Sequence, residues 1–380
     1  MKIKKLLALA LAAVMVLAMT ACLQNTTPTT QPATPATPAA PATTEPAAQP
    51  AGGDTTTPAA STDGAPAITS TTPVNIIWSH NSPEASAGHK IALKFKEEME
   101  TRSNGLITVT IYANGELGSV PENDQALREG SIQLGSGTSG GLVDKRLSYF
   151  DAPNLVNSNE QALAMIGRDS DLFKYTQGIY ESLGLKVLSL VPGGFRETSS
   201  NKEIRSYEDL AGLKIRTLEN PTAIAYWQSW GCNPTPVPFS DLYLALQQGL
   251  VEAQENAYNT ISSSKLYEQQ KYIVNTHHVI MWSGIYMNKA FYDNLPEDYR
   301  ALLDWVCVNV IDQYAYELNI ADNDAALQQM KDAGLEVIDL TDADYAKMRE
   351  AAKPAYDLIR SDVGDEAMNI LEAAIAAANG

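Results

Sequence analysis

The sequence is poor in the residues from which common catalytic and metal centres are built. Its 380 residues include only three cysteines and four histidines. His277 and His278 are adjacent on a predicted strand and therefore point to opposite faces, and no cysteine–histidine spacing matches a zinc site. Cys232 and Cys307 lie in dissimilar contexts and are predicted to be unpaired core thiols. A nucleophile motif and a phosphate loop are also missing, so we expect no enzyme activity, no metal and no cofactor.

Basic residues are scarce relative to acidic ones. Lysine and arginine total 27 against 45 aspartates and glutamates, which gives a formal net charge of −18. Such a balance argues against nucleic acid as a partner, because binding to the phosphate backbone needs basic surface. It is compatible with an acidic surface that surrounds one basic pocket.

Residues 1–22 predict export from the cytoplasm. Three lysines precede an apolar run of about 14 residues, and Thr-Ala-Cys follows. That arrangement is typical of a signal peptide, and the run is short for a helix that spans a bilayer. The ending resembles a lipoprotein signal, in which Cys22 becomes the lipidated first residue of the mature protein. An ordinary secretory signal cut nearby is the alternative.

Residues 23–73 have the composition of a linker. They contain no aromatic residue, no lysine and no arginine, and consist almost entirely of Thr, Pro, Ala, Gln, Ser and Gly. Such a segment cannot bury enough apolar surface to offset the entropy of ordering it. We predict a disordered linker that, with a lipidated Cys22, would tether a folded unit to the outer face of the cell membrane.

The folded part, residues 74–380, alternates predicted strands and helices. Strands at 74–80 and 106–112 flank an amphipathic helix, and a second α/β unit begins near Gly193. This rhythm predicts a mostly parallel sheet with helices on its faces. A helical pattern from Pro296 to Ala333 is long enough to run along two domains, unless it breaks near Asp322.

Polar side chains are predicted at the ends of several strands. Arg216 ends a strand within "GLKIRTLENP", Asn256 ends another, and Arg196 follows the break that Gly193 and Gly194 are expected to make. Ligands of open α/β sheets bind beyond the carboxyl ends of strands, and an arginine fork can grip a carboxylate through two charge-assisted bonds. We therefore predict a carboxylate site, with surface salt bridges as the alternative.

The segment that contains these residues resembles a known family. The stretches "GFRETSSNKEIRSYEDLAGLKIRTLENP" and "NPTPVPFSDLYLALQQGLVEAQEN" are similar to the solute-binding proteins of tripartite ATP-independent periplasmic (TRAP) transporters, the DctP family. Arg216 follows Arg196 by twenty positions, and Asn256 follows forty further on. The resemblance implies an α/β, two-domain periplasmic-binding-protein-like fold with a ligand cleft between the domains and a long domain-spanning helix. We assign domain I to 74–193 plus 282–321 and domain II to 194–281 plus 322–380.

The resemblance also implies roles for individual residues. Arg216 matches the arginine that forms a two-pronged salt bridge with the ligand carboxylate, and Arg196 matches a second arginine that supports it. Asn256 would bind the same end of the ligand. Asn81 would contact the ligand from across the cleft, and Phe239 would form an aromatic wall.

The far end of the ligand is less well defined by the sequence. Thr138, in the glycine-rich stretch 135–141, stands where sialic-acid-binding members have a glutamate, which argues against sialic acid. His80 and either Trp227 or Trp282 are further candidates for this end of the pocket.

The function implied by the resemblance is transport. We expect a monomeric, extracytoplasmic protein that binds a C4-dicarboxylate or a sugar acid such as a hexuronate and delivers it to a TRAP permease in the membrane. A monocarboxylate or aromatic-acid ligand is an alternative. So is a ligand-sensing lipoprotein that presents a bound organic acid to a receptor.

Overall fold

The computed structural model describes residues 63–136 and 140–378. The predicted signal peptide with Cys22, the predicted linker up to residue 62, and Thr138 lie outside the described residues. No helix of the described part is both long and apolar enough to cross a membrane.

Nine strands form one mixed sheet within the described residues. In chain order they are β1 Val74–Ser79, β2 Ile107–Tyr112, β3 Leu134–Gly135, β4 Leu185–Ser200, β5 Lys214–Thr217, β6 Asn233–Pro236, β7 Ala253–Asn256, β8 Tyr272–Asn288 and β9 Glu336–Asp339. Their order across the sheet is β2-β1-β3-β8-β4-β7-β5-β6, and β9 pairs with β8.

The centre of the sheet is antiparallel, which corrects the expectation of a mostly parallel sheet. The long strands β4 and β8 pair antiparallel, as do β3 with β8 and β4 with β7. Parallel pairs lie outside this centre, β1 with β2 and β3 on one side and β5 with β6 and β7 on the other. Both central strands are buried along most of their length, and continuous apolar runs of that kind resemble parallel strands in sequence.

The sequence predicted that the strand would break at Gly193 and Gly194, but strand β4 does not end there. It continues to Ser200, with a register shift between Pro192 and Phe195. Gly194 adopts a φ of 103°, a conformation open to glycine, so the pair makes a bulge rather than a break. Arg196 consequently lies inside the strand, not beyond its end.

The helices cover the faces of this sheet. In chain order they are α1 Ala87–Arg102, α2 Val120–Glu129, α3 Asn159–Met165, α4 Asp171–Ser182, α5 Pro221–Ser229, α6 Leu242–Gln247, α7 Tyr258–Ser263, α8 Lys289–Asn294, α9 Glu297–Val306, α10 Asp312–Asp332, α11 Asp342–Ala351 and α12 Lys353–Ala378.

The predicted long helix is continuous. A π-helical segment, Cys307–Ile311, joins α9 to α10 with helical backbone angles on both sides, and there is no break near Asp322. The side chain of Asn323 donates to the carbonyl of Gly193 at 3.0 Å, which holds α10 against the bulge of β4. The predicted domain boundaries fall inside β4, β8 and α10. A hinge between two lobes would bend at these places, and the boundaries stay a prediction.

The two cysteines of the folded part are free and buried, as predicted. Cys232 packs with the aromatic residues of α5, and Cys307 packs in a separate core cluster beside β1 and α1. Burial raises the pKa of the Cys232 thiol to about 12. Burial also raises the pKa of the Cys307 thiol. Both cysteines are therefore protonated residues of the hydrophobic core.

The residues just before β1 are anchored to the folded unit, although they belong to the segment predicted as linker. Ile68 is buried in the core cluster around Trp78. The carboxylate of Asp298, in the first turn of α9, accepts hydrogen bonds from the backbone N–H groups of Thr69 and Ser70, each at 2.6 Å. The hydroxyl of Tyr299 donates to the carbonyl of Thr72 at 2.9 Å. The packed region therefore extends upstream of residue 74.

We predict that Asp298→Ala lowers the free energy of unfolding by about 1–2 kcal/mol, because it removes charge-assisted bonds and an acidic residue from a helix N-terminus. Urea denaturation followed by circular dichroism measures this. Asp357→Ala, at an exposed position on α12, is the matched control and should change stability by less than about 0.5 kcal/mol. Equal stability of the two variants would contradict the anchoring role.

Candidate binding site

Three neighbouring strands carry the predicted polar residues. Strands β4, β7 and β5 are adjacent in the sheet, with Glu197 paired to Asn256 and Ile215 paired to Ala253. Arg196 of β4, Asn256 at the end of β7 and Arg216 of β5 are thus brought to one region, and all three are buried.

Arg196 forms a buried ion pair with Glu255 of β7. Its Nε donates to Oε2 of Glu255, and its Nη2 donates to Oε1 of the same carboxylate at 2.9 Å. The same Nη2 also donates to the side-chain oxygen of Asn256 at 3.0 Å. Burial opposes the charge of Arg196, but Glu255 outweighs it and raises the pKa of the guanidinium. A surface salt bridge is therefore ruled out for Arg196.

Glu255 is the residue that the sequence analysis missed. Burial alone would raise its pKa, but the charge of Arg196 and the hydrogen bond from His278 keep that pKa below its ordinary value. Nε2 of His278 lies 3.1 Å from Oε2 of Glu255, and Nδ1 lies 2.8 Å from the hydroxyl of Thr276. In the sequence, the only indication that Glu255 belongs to this site is its position directly before Asn256.

Arg216 is buried without an acidic partner. It is 1% exposed, its Nε donates to the carbonyl of Val237 at 2.9 Å, and its Nη1 has no acceptor. Burial lowers the pKa of the guanidinium to about 10, against the favourable charge of Glu255. The side chain is therefore charged at neutral pH. A buried cation with a free N–H edge is a receptor for an anion.

The amide of Asn256 is held by the protein on both sides. Its Oδ1 accepts from Arg196, and its Nδ2 donates to the side chain of Gln254 at 2.7 Å. Phe239 is half-buried two residues after Val237, whose carbonyl binds Arg216, and packs in the cluster around Leu242. Phe239 thus lies close in sequence to the backbone that fixes Arg216.

Asn81 belongs to a separate polar network beyond the end of β1. Its Nδ2 donates to the carbonyl of Gly118 at 2.8 Å, and its Oδ1 accepts from Asn123 at 2.9 Å. Neither bond reaches the arginines. His80 beside it is buried 3.1 Å from His89, and burial followed by the charge of His89 lowers the pKa of His80 to about 4. Asn81 and Asn123 carry no charge, and His80 is neutral at pH 7.

Asp151 is a second group that the sequence analysis missed. It ends a 3₁₀ turn, Lys145–Asp151, and its Oδ2 accepts from the backbone N–H of Gly141 at 2.6 Å. Burial raises the pKa of Asp151 to about 6, while Asn220 and Arg196 favour the charged form. Nearby, the backbone N–H of Asn154 donates to the carbonyl of His278 at 2.6 Å. The charge of Arg196 therefore acts on Asp151, which comes from another part of the chain.

The two candidate tryptophans lie in different surroundings. Trp227 of α5 is buried with its ring edge-on to His278, at a centroid distance of 5.1 Å. Trp282 of β8 packs edge-on against Phe150, 5.1 Å away. Of the two tryptophans, Trp227 is therefore the one that packs against His278, which in turn contacts the Glu255 carboxylate. Within the described ranges, no three histidine, cysteine or acidic side chains are grouped so as to hold a metal ion.

Comparison with known proteins gives the family. Residues 78–362 match the model of the bacterial extracellular solute-binding proteins, family 7, also called DctP. The chain belongs to this family. The match covers both arginines, Asn256 and the long helix.

Several relatives cover nearly all of the folded part. The chain is 31% identical to the C4-dicarboxylate-binding periplasmic protein DctP of Rhodobacter capsulatus, over 80% of this chain and 92% of that protein. It is 30% identical to the 2,3-diketo-L-gulonate-binding periplasmic protein YiaO of Escherichia coli, over 78% and 90% of the two chains. A TRAP periplasmic solute-binding protein of Polaromonas, solved with bound D-erythronate, superposes with a TM-score of 0.73 at 26% identity, over 80% of this chain and 98% of that one. The predicted family and two-domain α/β fold are thereby confirmed.

We predict that Glu255→Gln lowers the free energy of unfolding by about 3–5 kcal/mol at pH 7, because it leaves the buried charge of Arg196 uncompensated. Since the pKa of Glu255 is depressed in the folded protein, its contribution is present above about pH 4 and lost as the pH falls further. The pH dependence of stability below pH 4 should therefore be shallower in the variant.

Urea denaturation of the ligand-free protein between pH 7 and pH 2.5 measures both effects. Glu203→Gln is the control, since Glu203 pairs with Arg205 on the exposed surface and should matter little there. A Glu255→Gln variant as stable as the control at pH 7 would argue against the ion pair as a structural requirement.

Proposed function

We propose that this protein captures a small organic acid, a C4-dicarboxylate or a sugar acid such as a hexuronate, and delivers it to a TRAP permease. The observation that carries the proposal is Arg216, a buried guanidinium with no acidic partner and a free N–H edge. A ligand carboxylate would supply the missing charge and acceptors. Two parallel N–H···O bonds of this kind give strength and fixed geometry.

The surrounding residues would complete the grip on the carboxylate. Arg196 and Asn256 are fixed by Glu255 and Gln254, so they would meet the ligand already oriented. Pre-orientation reduces the entropy lost on binding. Asn81, Phe239 and Thr138 would contact the rest of the ligand as the two lobes close.

The ligands named for the relatives support an acid. The relatives from Rhodobacter, Escherichia and Polaromonas are described as binding a C4-dicarboxylate, 2,3-diketo-L-gulonate and D-erythronate. All three ligands carry a carboxylate, and two of them also carry hydroxyl groups. A guanidinium that binds the carboxylate would serve every member of this set.

The site of action would be the outer side of the cytoplasmic membrane. The family is extracellular or periplasmic, and Cys22 at the end of the predicted signal would carry the lipid. Residues 23–62 would then connect the anchor to the packed unit that begins near residue 63. A tethered monomer of this kind would stay close to its permease.

We predict that Arg216→Ala weakens binding of the cognate acid at least a hundredfold, because removing one partner of a buried charge pair costs about 3–5 kcal/mol. Arg216→Lys should weaken it at least tenfold, since an ammonium cannot form the two-pronged contact. A thermal-shift screen against organic acids identifies the ligand, and isothermal titration calorimetry then gives the dissociation constants.

Arg205→Ala is the control for these variants, because Arg205 is exposed and pairs with Glu203 and Glu336 on the surface. Its affinity should match that of the unaltered protein. If Arg216→Ala and Arg205→Ala bind the acid with nearly equal affinity, the assignment of Arg216 as carboxylate receptor is wrong.

We predict that Cys22→Ser moves the protein from the membrane fraction to the soluble extracytoplasmic fraction and prevents incorporation of labelled palmitate. Lipidation requires the thiol of Cys22, and serine has no thiol. Cys232→Ser, at a buried core thiol, is the control and should leave membrane association unchanged. Soluble protein in both cases would contradict the tether.

A further inference from the structure

Strand β8 carries a bulge opposite Glu197 of β4. Val279 of β8 pairs with Arg196, and Val274 pairs with the residue two positions further along β4. The four residues at 275–278 therefore stand opposite Glu197 alone, and we call them the β8 bulge. A bulge re-aims the side chains of its strand, and such bulges are common next to functional sites.

The β8 bulge brings two adjacent histidines to two different buried glutamates. Nε2 of His278 lies 3.1 Å from the carboxylate of Glu255, which belongs to the candidate site. Nδ1 of His277 contacts the carboxylate of Glu197. The side chain of His278 is fully buried, whereas that of His277 is 46% exposed. His277 can therefore exchange a proton with solvent next to a residue that supports the candidate site.

His277 contacts both carboxylate oxygens of Glu197. Its backbone N–H donates to Oε2 at 2.8 Å, and its imidazole Nδ1 forms an ion pair with Oε1. Glu197 is 1% exposed, and a buried carboxylate needs a compensating charge. Protonated His277 supplies that charge, and neutral His277 does not.

The backbone of His277 is held in an unfavourable conformation. Its φ is 41°, a left-handed value that few residues other than glycine adopt. Such conformations persist only where surrounding contacts hold them. Besides Glu197, the ring of Tyr345 stacks on His277 at a centroid distance of 6.1 Å, and Phe195 packs edge-on at 5.4 Å. Weakening the ion pair would therefore let the β8 bulge relax.

Other titratable groups surround His277 or line the pocket beside it. They are Glu197 of β4, Tyr258 of α7, Asp324 of α10, Asp339 of β9 and Tyr345 of α11. Burial opposes the charge of His277, but the hydrogen bond and charge of Glu197 and the charge of Asp339 outweigh it and raise the pKa of His277. Burial also raises the pKa of both phenols, so they stay neutral around pH 7. The ionised groups in this set are therefore acidic and favour protonated His277.

A pocket of about 140 Å³ adjoins the β8 bulge and the bulge of β4. Its walls include Gly194, Glu197, His277 and Asn323. Asn323 is the residue that bonds the long helix to Gly193. Close-packed interiors resist displacement, whereas this pocket leaves room for His277 to move away from Glu197. Such a movement would occur beside the predicted hinge.

We propose that His277 and Glu197 form a pH-sensitive latch: protonated His277 holds the β8 bulge against Glu197, and loss of the proton releases it. His277 is a positioning residue, because it acts on the candidate site through the adjacent His278 and its contact with Glu255. Release of the bulge would loosen that contact and weaken ligand binding. The effect on ligand binding rests on the function proposed above, whereas the latch itself does not.

The direction of the pH dependence follows from the charges of the pair. The pKa of His277 is raised in the folded protein, so the latch stabilises the fold fully below about pH 6.5, the ordinary value for histidine. That contribution is lost as the pH rises through the raised pKa.

A titration of the histidine side chains by NMR between pH 5.5 and 9.5 tests the latch on the unaltered protein. His277→Asn identifies the signal of His277, since asparagine tolerates a left-handed backbone and does not titrate. We expect a midpoint above about 6.5 for His277. Glu197→Gln should weaken proton binding by His277 at least threefold.

Glu203→Gln is the control for the titration, because Glu203 pairs with Arg205 on the exposed surface, and it should leave the His277 midpoint unchanged. If His277→Asn does not fold, the contact between His277 and the ring of Tyr345 assigns the signal instead. A midpoint at or below about 6.5 in the unaltered protein, or equal midpoints in Glu197→Gln and Glu203→Gln, would overturn the latch.

Urea denaturation at pH 6 and pH 9 measures the stabilising effect of the pair. Between these pH values, the unfolding equilibrium constant of the unaltered protein should rise at least threefold more than that of His277→Asn. An equal rise in the two proteins would mean that the proton on His277 does not hold the fold, and the latch would be wrong.

Calorimetry with D-erythronate, D-galacturonate and succinate as probes tests the effect on ligand binding. Between pH 6.5 and pH 9, the affinity of the unaltered protein for the tightest probe should fall at least threefold, and that of His277→Asn should change less than twofold. The same fall in both proteins would overturn the effect on binding. Failure of all three probes to bind would count against the proposed function, and the NMR and denaturation results would still decide the latch.

Discussion

The ion pair between Arg196 and Glu255 is the constraint on which the site depends. It joins the central strand β4 to β7, is buried, and is held from behind by His278. Buried charges of this kind are tolerated only when they are fully paired, because desolvation opposes each ion. The pair therefore joins two strands and, at the same time, neutralises one of the two buried arginines.

Arg216 is left, among the described residues, as the one buried arginine or lysine without an acidic partner. Burial of this charge costs stability in the ligand-free protein, and an anion bound to Arg216, as proposed, would recover that cost. A site of this kind favours the ligand-bound, closed state, since the ligand interacts more strongly with that state. Under the proposed function, the unpaired charge of Arg216 would couple capture of the ligand to closure of the two lobes.

A hinge at the predicted domain boundaries would depend on the same central strands. Gly193 and Gly194 place a bulge in β4, and Asn323 ties the long helix to it by a bond to Gly193. Each of the predicted boundaries between lobes falls inside a continuous element, β4, β8 or α10. Bending at these points would move Asp151 and the β1 network relative to Arg216 without breaking a chain connection.

Local composition and periodicity were enough to predict the family, the alternation of strands and helices, the continuous pattern of the long helix, and the arginines at their spacing. Only the tertiary structure decided that the sheet is antiparallel at its centre and that β4 passes through its glycine pair. It also decided that Glu255, rather than a surface acid, neutralises Arg196, and that the charges of both act on Asp151. Partners of a buried charge come from distant parts of the chain, and no local pattern records which of 45 acids will meet which arginine.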